Sequence, residues 1–266
     1  MSEPVRVYRL EGTAAPDALD WLHVHADVQG ALEEDAAITV WLAGELPVLP
    51  FPGLLVQECA VAVSDQLITG LEHDTAIEVA PDLLVRPPWV ERPAGFEGIE
   101  LVVPRGAAFG SGEHASTQAA LCCLHAVWAA PASFADIGTG SGILALYAQV
   151  RGCGDVQACD IEEPAVAAAR ELLPAARVHL GGPETLASAD CVVANMTAAE
   201  LHATLPVILD RWSGRGALVL SGMREGEVAG ILARLPAAPD HVVVRAPFTA
   251  LALRRRLVHA PAPGCR

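Results

Sequence analysis

The feature that most constrains this chain is a glycine-rich turn that follows a short apolar run. The run at residues 134–137 ends directly before Gly138, Gly140 and Gly142, and residues 143–150 then show a helix-forming pattern. Glycines permit a tight turn and let a ligand approach the backbone without a Cβ in the way. The following helix should direct unpaired N–H groups and its positive dipole end at a bound anion. Strand, glycine turn and helix in this order predict an α/β fold with a nucleotide-cofactor site.

The spacing of the glycines indicates which cofactor the turn binds. A nicotinamide fingerprint, Gly-x-Gly-x-x-Gly, would need a glycine at the position of Ile143. The observed Gly-x-Gly-x-Gly, with Asp136 two residues ahead, resembles motif I of class I S-adenosylmethionine-dependent methyltransferases. A second acidic residue, Asp160, ends the next predicted strand 22 residues after Gly138, where a carboxylate can accept hydrogen bonds from two ribose hydroxyls. The sequence therefore favours S-adenosylmethionine as the cofactor.

Composition excludes several classes of protein. Of the 266 residues, 52% are hydrophobic and 18% are charged, which excludes a disordered chain. The seven cysteines include no Cys-x-x-Cys pair, so we expect neither a zinc site nor a disulfide framework. No apolar run approaches the roughly 20 residues of a membrane helix, and the amino terminus lacks the pattern of a secretory signal. We expect a cytoplasmic protein with no metal and no membrane partner.

The charge bears on the choice of partner. The formal net charge is −15, and the 17 basic residues include no lysine. An acidic surface disfavours direct binding of nucleic acid and favours basic partners. A bias towards GC-rich codons together with a charge that favours solubility is the simplest explanation of this composition. The alternative is that the charge helps to recruit a basic protein substrate, which is the partner that we expect.

Motifs and prolines divide the chain into two predicted domains. Residues 1–80 carry short, mixed strand and helix patterns and no cofactor motif, which predicts a small α+β domain. Residues 81–97 contain four prolines, and because proline fixes φ and restricts its predecessor, we expect a stiff, extended linker there. Residues 98–266 contain the cofactor motifs and end in a pattern typical of a hairpin at 241–254.

Three motifs in order carry a resemblance to a known family. Residues 109–117 read Phe-Gly-Ser-Gly-Glu-His-Ala-Ser-Thr, residues 136–145 read Asp-Ile-Gly-Thr-Gly-Ser-Gly-Ile-Leu-Ala, and residues 192–195 read Val-Val-Ala-Asn. Together they resemble the signature of the ribosomal protein L11 methyltransferase family. The resemblance implies a class I methyltransferase (Rossmann-like) seven-stranded sheet with a terminal antiparallel hairpin. It also implies an amino-terminal domain that recognises the protein substrate.

The same resemblance implies roles for individual residues. It places Thr117 at the methionine end of the cofactor, Asp160 at its ribose and Asn195 beside the reactive methyl group. The candidate cofactor-binding residues are Thr117, Gly138, Gly140, Asp160 and Asn195.

Asn195 is also the candidate catalytic residue. Methyl transfer from a sulfonium is an in-line displacement, so the protein must align a neutral amine behind the methyl group. The side-chain carbonyl of Asn195 and the backbone carbonyls after it can hold the amine N–H bonds in that orientation. This predicts an N-methyltransferase acting on lysine or α-amino groups of a protein such as ribosomal protein L11. Two alternatives remain open: a small-molecule methyltransferase on the same scaffold, and a catalytically silent cofactor-binding module.

Overall fold

The chain forms two compact units, Met1–His73 and Asp74–Arg266. The computed structural model describes residues 5–34, 37–59, 75–104 and 109–254. None of the helices in those ranges has both the length and the apolarity that crossing a membrane requires.

The first unit packs a helix against an antiparallel sheet. The four strands lie in the order β2-β3-β1-β4. The elements are β1 (Val5–Glu11), α1 (Ala15–His25), β2 (Asp27–Glu34), β3 (Ala37–Ala43) and β4 (Leu55–Cys59). Alternate residues of β3, among them Val40 and Leu42, are buried in one cluster with Leu22 of α1.

The second unit contains two sheets. A three-stranded sheet has the order β5-β6-β7, and a seven-stranded sheet has the order β10-β9-β8-β11-β12-β14-β13. The strands are β5 (Ile77–Ala80), β6 (Leu83–Arg86), β7 (Ile99–Val102), β8 (Ser133–Ile137), β9 (Asp155–Asp160), β10 (Arg177–Leu180), β11 (Cys191–Asn195), β12 (Leu218–Arg224), β13 (His241–Arg245) and β14 (Phe248–Leu253). Strands β8 to β12 run parallel, whereas β14 pairs antiparallel with both β12 and β13. The predicted seven-stranded sheet with a terminal antiparallel hairpin is confirmed.

Helices cover both faces of the larger sheet. They are α2 (Ala115–Val127), α3 (Ile143–Val150), α4 (Glu163–Leu172), α5 (Ala198–Arg211) and α6 (Val228–Leu232). One apolar core contains residues of α2, α3 and α4, and the other contains residues of α5 and α6. Val193 belongs to the first core and Val192 to the second, because successive strand residues point to opposite faces. Burial on both faces explains why the central parallel strands β8, β11 and β12 are mostly apolar.

The observed division of the chain differs from the predicted boundaries. Val79, Leu83 and Val85, which fall at the end of the predicted first domain and in the predicted linker, are buried in the core of the second unit. Strand β6 pairs parallel with β7, so part of the predicted linker is a sheet strand. Because prolines flank this strand, its short apolar segment was predicted to be part of a linker, although residues 83–85 are buried.

Candidate active site

The order in which strands are added to the larger sheet reverses between β8 and β11. Strands β9 and β10 lie on one side of β8, whereas β11 and β12 lie on its other side. In open α/β sheets, ligands bind at such a switch point, in the crevice outside the carboxyl ends of the strands. Gly138 directly follows β8 and Asn195 ends β11. The fold therefore brings these two predicted site residues to the crevice.

The three glycines of the turn face different surroundings. Gly138, Gly140 and Gly142 have φ angles of 66°, 53° and 93°, in the left-handed region that favours glycine. A Cβ on Gly140 would collide with the carbonyl of Phe109, and one on Gly142 would press against side-chain atoms at the end of α4. A Cβ on Gly138 would stand 2.9 Å from the side chain of Met196, which follows β11. Gly140 and Gly142 thus allow tight internal packing, whereas Gly138 faces the crevice.

The amides of the turn already have acceptors. Gly140 N donates to Asp160 Oδ2 at 2.9 Å, and Ser141 N donates to the carbonyl of Phe109 at 2.7 Å. The two amides before them donate to the carbonyl of Cys159 at 2.9 and 3.0 Å. The four amides of residues 138–141 are therefore paired within the chain, whereas the expected unpaired N–H groups belong to the start of the helix that follows, α3. The end of β9 and the segment at Phe109 lie close enough to supply the acceptors.

Asp160 is held facing the glycine turn. Besides its bond to Gly140, the carboxylate accepts from Glu162 N through Oδ1 at 3.0 Å. A carboxylate oxygen can accept more than one hydrogen bond, so both oxygens keep capacity for a further donor. The two backbone amides therefore orient the Asp160 carboxylate and leave it able to accept further hydrogen bonds.

Thr117 and Asn195 lie together on the other side of the crevice. Thr117, in the first turn of α2, is 1% exposed, and its Oγ1 accepts a long hydrogen bond of 3.4 Å from Asn195 Nδ2. Asn195 Oδ1 is buried and has no hydrogen-bond partner within the described ranges. Buried side-chain oxygens are nearly always bonded. This oxygen is therefore an acceptor that an N–H group of a ligand can satisfy.

Asp136 holds the turn through buried hydrogen bonds. It is fully buried, and its Oδ2 accepts from Thr139 Oγ1 at 2.6 Å and from Ala145 N at 3.2 Å. Burial raises the pKa of this carboxyl to about 7, although the bonds from Thr139 and Ala145 act to lower it. Asp136 thus connects the turn to the first residues of α3.

A cluster of three rings beside the crevice was not predicted. His114 caps the amino terminus of α2, with its Nδ1 accepting from Ser116 N at 3.3 Å. Its ring lies 5.1 Å from that of Phe109 and 4.7 Å from that of Phe248. The guanidinium of Arg224 lies over the ring of Phe248, 5.8 Å from its centroid. Phe109 and His114 belong to a motif that the sequence showed, but Phe248 reaches them only through the antiparallel hairpin.

Comparison with known proteins identifies the family. A family model described as ribosomal protein L11 methyltransferase (PrmA) matches residues 72–241. The ribosomal protein L11 methyltransferase of Thiobacillus denitrificans is 32% identical over 222 residues, covering 82% of this chain and 74% of that protein. The enzyme of that name from Enterococcus faecalis is 30% identical over 263 residues, covering 84% of this chain and 82% of its own.

A solved structure gives the same result. The crystal structure of ribosomal protein L11 methylase from Lactobacillus delbrueckii subsp. bulgaricus superimposes with a TM-score of 0.61 at 26% identity, covering 68% of this chain and 98% of that one. The chain therefore belongs to the ribosomal protein L11 methyltransferase family and is an S-adenosylmethionine-dependent methyltransferase.

Proposed function

We propose that this enzyme transfers the methyl group of S-adenosylmethionine to an amino nitrogen of ribosomal protein L11, either a lysine side chain or the α-amino group. The names of its relatives support the protein substrate. The choice of nitrogen depends on Asn195 Oδ1 at the carboxyl end of β11, which is buried and has no hydrogen-bond partner among the residues that the structure describes. An amine is a methyl acceptor that has N–H groups to donate to this oxygen.

The residues of the crevice fit the cofactor. The Asp160 carboxylate would accept from the two ribose hydroxyls, while the amide of Gly140 keeps it oriented. The backbone of Gly138, which carries no side chain of its own, would lie against the methionine part, with Thr117 closing that end. When bound, the cofactor supplies a methyl group activated by its sulfonium.

Asn195 would act by orientation. Its Nδ2 is held by Thr117 Oγ1, so its Oδ1 points to a fixed place from which it can accept one N–H of the incoming amine. The nitrogen lone pair would then face the methyl group, and alignment of this kind supplies much of a rate enhancement. The sequence offers no convincing side-chain base, and we assign the proton released from nitrogen to water.

The charge of the chain supports a basic protein as the partner. A net charge of −15 favours association with a basic ribosomal protein and opposes contact with a phosphate backbone. We assign substrate recognition to the first unit, Met1–His73, and cofactor binding and methyl transfer to the second, Asp74–Arg266. We place the enzyme in the cytoplasm.

Radiolabelled methyl transfer tests the proposal. The full chain would be incubated with labelled S-adenosylmethionine and either purified ribosomal protein L11 or a cell extract, which is then separated into protein and small-molecule fractions. We expect label in ribosomal protein L11 and in the protein fraction. Label confined to small molecules would reject the protein substrate and favour the small-molecule alternative, and no label at all would favour the silent module.

The substitution Asn195→Ala tests the catalytic assignment. We expect S-adenosylhomocysteine to bind with affinity close to that of the wild type, while methyl transfer falls on the order of 100-fold because the amine is no longer aligned. Gln149→Ala removes an amide at the far end of α3 and serves as the control. Transfer at the wild-type rate by Asn195→Ala would show that Asn195 is not catalytic.

A further inference from the structure

Met196 occupies the space in front of the first glycine of the turn. A Cβ on Gly138 would stand 2.9 Å from both Cγ and Sδ of Met196. This is the side of Gly138 that faces the crevice between β8 and β11, where ligands bind in sheets of this kind. A ligand that approached the backbone of Gly138 would therefore need the volume that the thioether fills.

The backbone of Met196 is held on both sides. Its N donates to the carbonyl of Ser221 at 3.1 Å, and a Cβ on Gly222 would come within 3.0 Å of its N and 2.8 Å of its carbonyl carbon. The next residue, Thr197, forms a capping box with Glu200 in which Thr197 N donates to Glu200 Oε2 at 2.9 Å. Movement at this position is consequently left to the side chain.

The side chain is suited to such movement. Methionine is unbranched, has three rotatable bonds and fills irregular gaps. Met196 is half-buried and packs at the margin of the core that α5 and α6 cover. The neighbouring Asn195 is held separately by Thr117, so rotation of the thioether would leave the amide in place.

We propose that Met196 is a movable cover over Gly138, which must rotate away before the methionine part of S-adenosylmethionine can enter the crevice. The inference rests on the proposed cofactor site and adds to it a residue that controls entry. A ligand binds only to molecules in which the cover is open, so the closed fraction lowers the apparent affinity and the observed association rate together. Met196 controls access to the site and takes no part in the chemistry.

Binding kinetics test the cover without reference to activity. Association and dissociation rate constants for S-adenosylhomocysteine would be measured by stopped-flow fluorescence on the full chain, on Met196→Ala and on Val244→Ala. Val244 is a 65% exposed valine on β13 and controls for loss of an apolar side chain. We expect Met196→Ala to raise the association rate constant at least about threefold, because no closed fraction remains. Val244→Ala should match the wild type.

A second variant guards against misfolding of the first. Met196→Leu conserves volume and should fold like the wild type, but it has one rotatable bond fewer. We expect its association rate constant to be no higher than that of the wild type. An unchanged or lower rate constant in a folded Met196→Ala, or equal rates in the alanine and leucine variants, would overturn the cover. A wild-type chain that does not bind S-adenosylhomocysteine would instead reject the cofactor site itself.

Discussion

Two buried oxygens in the crevice differ in what they can do. Asp136 Oδ1 and Asn195 Oδ1 both lack a hydrogen-bond partner in the described part of the chain. A carboxyl group can take up a proton and become neutral when it is buried, whereas an amide oxygen has no such option. Protonation can therefore satisfy the Asp136 carboxyl, whereas Asn195 Oδ1 stays an acceptor that none of the described residues uses, which supports the proposed contact with an amine.

The raised pKa of Asp136 predicts how stability depends on pH. Burial raises its pKa from 3.8 to about 7, so between these values the folded chain holds a proton that the unfolded chain releases. The contribution of this group is full below about pH 4 and is lost as the pH rises towards about 7. We expect Asp136→Asn to flatten this decline in the free energy of unfolding, measured with urea at several pH values. Parallel curves for the two proteins would contradict the assignment.

Asp160 should act on the cofactor and not on the fold. We expect Asp160→Ala to weaken binding of S-adenosylhomocysteine in calorimetry by more than about tenfold, or about 1.4 kcal/mol. Asp155→Ala, at the other end of β9, removes only an exposed ion pair with Arg177 and should bind normally. Equal affinities for the two variants would remove Asp160 from the ribose site.

At this scale the sequence predicts residues that follow from local rules. Asp160 was predicted in this way, because it ends a predicted strand 22 residues after Gly138. Asn195 was predicted through the family resemblance, and it ends a strand whose carboxyl end lies at the same edge of the sheet. Met196 was not predicted as part of the site, because only the neighbouring positions of β8 and β11 bring it over Gly138. Phe248 was missed for the same reason, since its contact with His114 depends on the pairing of β12 with β14.

At the scale of elements, the beginning of α5 is fixed by its own sequence. Thr197 Oγ1 accepts from Glu200 N at 3.4 Å, and the Glu200 carboxylate accepts from Thr197 N at 2.9 Å. We expect Thr197→Ala to lower the free energy of unfolding by about 1 kcal/mol, as loss of such a cap does. Thr197→Ser keeps the hydroxyl and should be nearly neutral. Denaturant titration measures both, and an equal loss in the two variants would show that the cap contributes little.

The sequence pattern predicts some of the strands and misses others. The mostly apolar sequences of β8, β9 and β11 predict a buried parallel sheet, because a strand covered on both faces buries side chains on either side. Strand β6 is just four residues long and lies between prolines, so no periodicity distinguishes it from a linker. Its pairing with β7 is a tertiary contact that the local pattern does not contain.

At the scale of the whole molecule, the two units have separate cores. Leu22 and Leu42 lie in a cluster confined to the first unit, whereas the second has clusters on both faces of its larger sheet. A domain with its own core can fold alone. The position of the boundary therefore decides which fragments of this chain will be stable.

Two fragments test the boundary between Asp74 and the predicted start at residue 98. A fragment of residues 74–266 keeps β5 and β6, whereas one of residues 98–266 loses Val79, Leu83 and Val85 from the core shared with α2 and α3. Burying each such side chain contributes about 1.5–3 kcal/mol, and domains are stable by only about 5–15 kcal/mol in total.

We therefore expect the longer fragment to unfold in one cooperative transition and to bind S-adenosylhomocysteine like the full chain. The shorter fragment should show no cooperative transition in denaturant and no binding in calorimetry. If it instead matched the longer one, β5 and β6 would be dispensable to the fold, and the buried positions in β6 would carry less stability than their complete removal from solvent implies.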